Sequence, residues 1–163
     1  GVILADSGGK LMQKLHQIYS GTVILEDGTT IIIDNTKSDY LWDKFQKTKI
    51  AIFYKFQAEL ESLKNVYGSN LTTDLSEFNT TNKSIALQFQ SGKEGISLAK
   101  AEFLVAYNID YSASTYFQFR DRLTTKERLV NKLYWLFSEN GIEKEIYKVV
   151  SNKKNFTLKY FNQ

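Results

Sequence analysis

Apolar residues along this chain follow two alternating periods. In "GKLMQKLHQIYSG", Leu11, Leu15 and Ile18 recur at helical spacing and Gly21 supplies a stop signal. "TVILEDGTTIIID" follows, two β-branched runs around Asp27-Gly28, which is the pattern of a tight hairpin. "SDYLWDKFQKT" reads as a short amphipathic helix leading into "KIAIFYKF", whose continuous apolar character predicts a buried parallel strand. "QAELESLKNVYG" returns to the helical period through Leu60 and Leu63 and stops near Gly68.

Three further strands are predicted in "NKSIALQF", "EFLVAYNID" and "KLYWLFS", with a helix from about Ser112 between the last two. The segment "GIEKEIYKVVSNKK" puts Ile142, Ile146 and Val149 or Val150 on one face, as a helix covering a sheet requires. "GSNLTTDLSEFNTTNKS", rich in Ser, Thr and Asn, reads as a long surface connection. Strands alternating with helices predict an α/β sandwich with a mostly parallel sheet, because parallel neighbours need crossover connections. The 163 residues fit one compact domain with a sizeable core.

Composition narrows the chemistry. The absence of cysteine excludes disulfides, thiolate metal sites and a cysteine nucleophile. His16 is the one histidine, which leaves zinc chemistry and a serine-histidine triad almost nothing to work with; it reads as a packing or surface residue. No run of about 18 apolar residues occurs, and "GVILADSGGK" lacks the regions of a signal peptide, so a soluble, cytoplasmic protein without a membrane partner is expected. A net charge of +3 permits nucleic-acid contact without requiring it. Most of the 10 tyrosines and 11 phenylalanines belong in the core and on half-buried strands.

In parallel α/β sheets, function sits on loops beyond the carboxyl ends of strands. Two stretches qualify. "QSGKEGISL", residues 90–98, follows a predicted strand, and Gly92 and Gly95 would let backbone amides approach a phosphate. "FQFRDRLTTKER", residues 117–128, gathers Arg120, Arg122, Lys126 and Arg128; its bland reading is a solvated helix face. Neither "DSGGKL" nor "QSGKEG" satisfies the Walker A pattern.

Taken together, "QSGKEGISLAKAEFLVAYNIDYSASTYFQFRDRLTTKER" resembles motifs V and VI of the second RecA-like domain of superfamily 2 helicases, in particular the Swi/Snf-related and phage-type branches. "TKIAIFYKFQAELESLK" is similar to the motif IV strand and helix of such domains, and "KLYWLFSENGIEKEIYKVV" to their closing strand and helix. The resemblance covers about residues 45 to 155. It implies a RecA-like three-layer sandwich with helices on both faces of the sheet. Residues 45–163 would form the C-terminal helicase domain, and residues 1–44, with their helix and hairpin, a connecting segment.

Gly92, Gly95 and Leu98 match the motif V glycines and leucine, with Ser97 in place of the family's asparagine. Gln88, Phe89 and Gln90 stand where Ser-Thr-Arg is usual. Asp110 matches the acidic residue after the next strand, without the usual Trp-Asn-Pro behind it. In motif VI, Gln118 and Arg122 match the glutamine and first arginine; Asp121 replaces a glycine and Thr125 the second arginine, with Arg120, Lys126 and Arg128 close by.

The resemblance implies an ATP-dependent helicase or translocase, a hydrolase of which this chain is the C-terminal half, inactive alone. ATP and magnesium would be held mainly by a preceding RecA-like domain of the same parent chain. Arg122, with Gln118 and Arg120, would face the γ-phosphate, and Gly92, Gly95, Leu98 and Asp110 the nucleotide side of the cleft. Lys55, Ser91 and Lys93 would meet nucleic-acid phosphates, DNA ahead of RNA. The alternative is a non-catalytic α/β module that binds nucleic acid or a partner and has lost ATP coupling, for which Thr125 and the altered motif V speak.

Overall fold

The structure is a computed structural model, and it describes residues 3, 5–90, 97–123 and 132–162, without the side chains of residues 122 and 123. Helix α1 (Gly8–Tyr19) starts on Ser7, whose hydroxyl accepts the Lys10 N–H, and ends at Ser20 and Gly21. Gly21 turns the chain with φ +82°, and a Cβ there would lie 2.7 Å from the Asp34 carbonyl oxygen. The hairpin falls where Asp27-Gly28 predicts it: β1 (Thr22–Ile24) pairs antiparallel with β2 (Thr30–Ile32), and Gly28 takes φ +83°.

Helix α2 (Thr36–Phe45) leads into β3 (Ile50–Tyr54), every residue of which is buried. Then come α3 (Gln57–Tyr67), a 3-10 turn (Gly68–Asn70), β4 (Leu71–Thr72), α4 (Leu75–Thr80), β5 (Ser84–Gln88) and β6 (Phe103–Ala106). The chain continues with α5 (Ala113–Leu123), β7 (Leu133–Trp135), α6 (Glu143–Ser151) and α7 (Leu158–Phe161). Among the described residues the main sheet has five strands in the order β4-β5-β3-β6-β7, all parallel. This is the expected three-layer α/β sandwich of RecA-like type, with the hairpin as a separate two-stranded sheet.

The alternation of side chains along β3 divides the core. Ile50, Ile52 and Tyr54 pack with Leu41 and Phe45 of α2 and Leu60, Leu63 and Tyr67 of α3. Ala51 and Phe53 point the other way, to Phe78 of α4, Phe89 and Phe119 of α5. A third cluster joins Tyr116 of α5 to Ile146 and Val150 of α6, with Ile142 and Phe156. The expected α6 stripe is therefore the buried one, and Val150 rather than Val149 completes it.

Two features depart from the sequence reading. The stretch read as one surface connection contains β4 and α4. Asp74 caps α4 by accepting the Glu77 N–H at 2.7 Å, and Phe78 anchors it in the core with no exposed surface. Residues of low apolar content hid an edge strand and a two-turn helix held by one phenylalanine. On α1, the apolar stripe is not the buried face: Leu11 is 42% exposed, whereas His16 and Gln17 are buried. Gln17 is satisfied there because its Oε1 accepts the Ile24 N–H at 3.0 Å.

Candidate functional site at the carboxyl edge of the sheet

Because β3, β5, β6 and β7 run parallel, the residues that follow them share one edge of the sheet. Lys55 leaves β3 there, Phe89 and Gln90 leave β5, Tyr107 to Ser112 leave β6, and Leu136 to Ser138 leave β7. Two of the residues expected at a site meet directly. Lys55 Nζ lies 2.6 Å from Asp110 Oδ2, and both side chains are about three-quarters buried. Asp110 Oδ1 accepts the Ser112 N–H at 3.0 Å, which fixes the turn into α5. Burial opposes the charge on Asp110, but the hydrogen bond and charge of Lys55 outweigh it and hold the carboxyl below its ordinary 3.8.

Behind this pair lies a buried polar chain that sequence reasoning missed. Glu59, in the first turn of α3, is fully buried and reaches back so that Oε2 accepts the Lys55 N–H at 3.3 Å. Its Oε1 accepts from Asn108 Nδ2 at 2.5 Å, and Asn108 Oδ1 lies 2.6 Å from His16 Nε2. Burial pushes the Glu59 carboxyl up, against Lys37 and the hydrogen bond from Asn108. Lys37 itself is buried, 3.2 Å from Glu143 Oε1 and over the Tyr107 ring at 4.8 Å. The only local signal for Glu59 was its position, three residues into a helix whose first residues carry no side-chain cap. His16, Asn108, Lys37 and Glu143 come from segments far apart in sequence and left no trace in its periodicity.

The arginine-bearing end of the candidate set stands elsewhere. Helix α5 runs away from the carboxyl edge, so Arg122 is about 14 Å along the axis from Ala113, at about 1.5 Å per residue. Ala113, Tyr116 and Phe119 form its buried face, while Gln118 and Arg120 are exposed. The i,i+4 spacing puts the Arg122 backbone on the same helix face as Gln118, and Arg120 on a different one. The Arg120 guanidinium lies 5.8 Å from the Tyr116 ring centroid and 5.9 Å from that of Phe117. Leu98 packs against the cluster of Phe53 and Phe119. Ser91, Gly92, Lys93, Gly95, Thr125, Lys126 and Arg128 lie outside the described residues.

Comparison with known proteins decides the fold. The chain superposes on the Sulfolobus solfataricus SWI2/SNF2 ATPase core in complex with double-stranded DNA with a TM-score of 0.61, over 93% of this chain and 37% of that one, at 18% identity. The chain shares its fold with part of that ATPase core. The C-terminal part of the Fun30 ATPase domain shares this fold with a TM-score of 0.55, over 74% of this chain and 45% of that one, at 17% identity. The chain thus spans less than half the length of either of these structures. No protein-family model matches it, and no curated protein matches it. Among the described residues no helix is long and apolar enough to cross a membrane, and no group of three His, Cys, Asp or Glu could hold a metal ion.

Proposed function

We propose that the chain is the C-terminal RecA-like half of an ATP-dependent DNA translocase, contributing an arginine on α5 to an ATP site between two domains and part of a DNA track. The observation that carries this reading is the superposition of 93% of the chain on an ATPase core whose structure contains double-stranded DNA. The order of the strand-end segments in the sequence supports it independently. Residues 1–44 would connect to a preceding RecA-like domain, which would bind ATP and magnesium; no carboxylate cluster suited to the metal lies among the described residues of this chain.

In this reading the distal half of α5 would face the nucleotide, and the carboxyl edge would meet the nucleotide through the loop after β5 and DNA through Lys55. Gln118 is accessible and Arg122 follows it one turn later on the same helix face. Arginine suits a γ-phosphate partner because its charge is permanent and its planar fork matches phosphate oxygens. Arg120, on another face and beside two aromatic rings, would hold the helix end rather than touch phosphate. Gly92, Gly95 and Leu98 would belong to the nucleotide side of the cleft. Lys55 would meet a DNA phosphate with Ser91 and Lys93, and Asp110 would set its position.

The test is ATP hydrolysis by the parent-length protein with and without double-stranded DNA, comparing wild type with Arg122→Ala. The expected result is a DNA-stimulated rate that falls about a thousandfold or more in the variant while the protein stays folded. Full activity in the variant would remove Arg122 from the site. No DNA-stimulated hydrolysis by the wild type would replace the motor with a binding module.

A further inference from the structure

His16 is buried between two rings, with centroids 5.3 Å away in Phe56 and 4.9 Å away in Tyr111. The direction of its bond to Asn108 follows from the other bonds of that amide. Asn108 Nδ2 donates to Glu59 Oε1, and Oδ1 already accepts the Ile109 N–H at 2.8 Å. Oδ1 can therefore only accept from His16, which makes Nε2 the protonated ring nitrogen. A flipped amide would set its NH2 against the Ile109 N–H and its oxygen against the Glu59 carboxylate, so no second arrangement competes. His16 Nδ1 is buried without a hydrogen-bond partner, as a bare ring nitrogen in a neutral imidazole can be.

We propose that His16 is a positioning residue for the carboxyl-edge site: its Nε2–H locks the Asn108 amide, and Asn108 in turn holds Glu59 and the 108–110 segment so that Asp110 meets Lys55. The links form a continuous path. His16 donates to Asn108, Asn108 to Glu59, and the Lys55 N–H to Glu59. The Lys55 ammonium donates to Asp110, which accepts the Ser112 N–H at the start of α5. Helix α1 is thereby tied to the loops after β3 and β6 through side chains 92 and 49 residues apart in sequence.

The ring's surroundings keep it a neutral donor rather than a switch. Burial is the largest influence, and the Lys55 and Lys37 charges also disfavour the imidazolium, against Asn108 and Asp110, which favour it. Phe56 and Tyr111 bring no charge, and Glu59 stands behind Asn108. The result is a value pushed down to about 3. At neutral pH the ring is uncharged and the Nε2–H is present.

The experiment compares His16→Phe, which keeps an aromatic ring in the slot but loses the donor, with His16→Gln, which places an amide N–H near the position of Nε2. Neither carries imidazole charge, so the difference between them isolates the hydrogen bond. The first readout is the carboxyl titration of Asp110 by carbon NMR. It should move up toward the ordinary value in His16→Phe and return to the wild-type position in His16→Gln. Identical Asp110 titrations in the two folded variants would overturn the proposal.

A second measurement needs no variant. The imidazole nitrogen shifts of the wild type should show a protonated Nε2 and a bare Nδ1, and the opposite tautomer would also overturn it. The third readout, affinity for a short mixed-sequence DNA duplex, rests on the reading of Lys55 as a phosphate contact. It should fall about tenfold in His16→Phe, the worth of one charge-assisted hydrogen bond, and recover in His16→Gln. A shifted Asp110 titration with unchanged DNA affinity would leave the positioning role standing and remove Lys55 from the DNA track.

Discussion

Lys55 Nζ stands 2.6 Å from Asp110 Oδ2, joining the residue that follows β3 to the segment that follows β6. A lysine expected to meet nucleic-acid phosphate is thus already engaged by an acid of its own chain. The pair is partly accessible, so a phosphate can compete for the ammonium without first desolvating it. Held this way, Lys55 is oriented at the edge by Asp110 on one side and by its own backbone bond to Glu59 on the other.

If Lys55 contacts DNA, Lys55→Met should weaken binding across all sequences and lower the slope of log affinity against log salt by about one. Asp110→Asn should weaken binding as well, because it removes the partner that orients the ammonium at the edge. The check is a fluorescence titration with duplex DNA at several salt concentrations. An unchanged slope in Lys55→Met would exclude the contact.

The Lys37 and Glu143 side chains are 7% and 0% exposed, and Glu143 Oε2 is buried without a hydrogen-bond partner. Removing one member strands the other charge. Lys37→Met should cost about 3–5 kcal/mol in urea denaturation. The double variant Lys37→Met/Glu143→Leu should regain most of that loss, since an apolar pair needs no charge balance. A double variant no more stable than the single one would mean that Glu143 matters through the bond its Oε1 accepts from the Ser138 N–H at 3.4 Å rather than through charge.

His16 also predicts an acid sensitivity with a definite sign. Its folded value of about 3 lies below the ordinary 6.5, so the unfolded chain binds more protons between those limits. Stability from this group is complete above pH 6.5 and is lost as pH falls toward 3. At about 1.4 kcal/mol per unit the full loss is on the order of 5 kcal/mol. His16→Gln should flatten the urea midpoint between pH 6.5 and 4.5, a window above the range in which Asp110 titrates. An equally steep profile in the variant would assign the acid sensitivity to other groups.

Two glycines with the same backbone angle should respond differently to alanine. Gly21 and Gly28 have φ +82° and +83°, but an added Cβ meets the Asp34 carbonyl only at Gly21 and nothing within 4 Å at Gly28. Gly28→Ala should cost about 1–2 kcal/mol, the left-handed strain alone. Gly21→Ala should cost clearly more, because the 21–34 contact must open and the Ile33 N–H bond to the Gly21 carbonyl goes with it. Thermal melts of the two variants side by side decide the point.

Much of the architecture was legible where a local pattern also has a local cause. The β-branched runs around Asp27-Gly28 became a hairpin because a glycine at positive φ closes it, and "KIAIFYKF" became the central strand because both of its faces are covered. Alternation of such strands with helices requires crossovers, and hence a parallel sheet. The candidate site was legible only in part. Lys55 and Asp110 could be singled out separately as residues that follow strands, yet nothing in the sequence said that they pair with each other.

What the sequence by itself determined is the order of the strands and helices other than β4 and α4, and the loops that reach the carboxyl edge, since periodicity and turn chemistry act over a few residues. Strand order and the burial of His16, Glu59 and Asn108 were decided by the tertiary structure alone. A polar side chain can be buried only when partners from other segments satisfy it, and those partners are set by how α1, α3 and the loop after β6 converge. Leu11 lies exposed while His16 and Gln17 are buried for the same reason: hydrogen bonds available in that place outweighed the apolar preference that the one-dimensional pattern records.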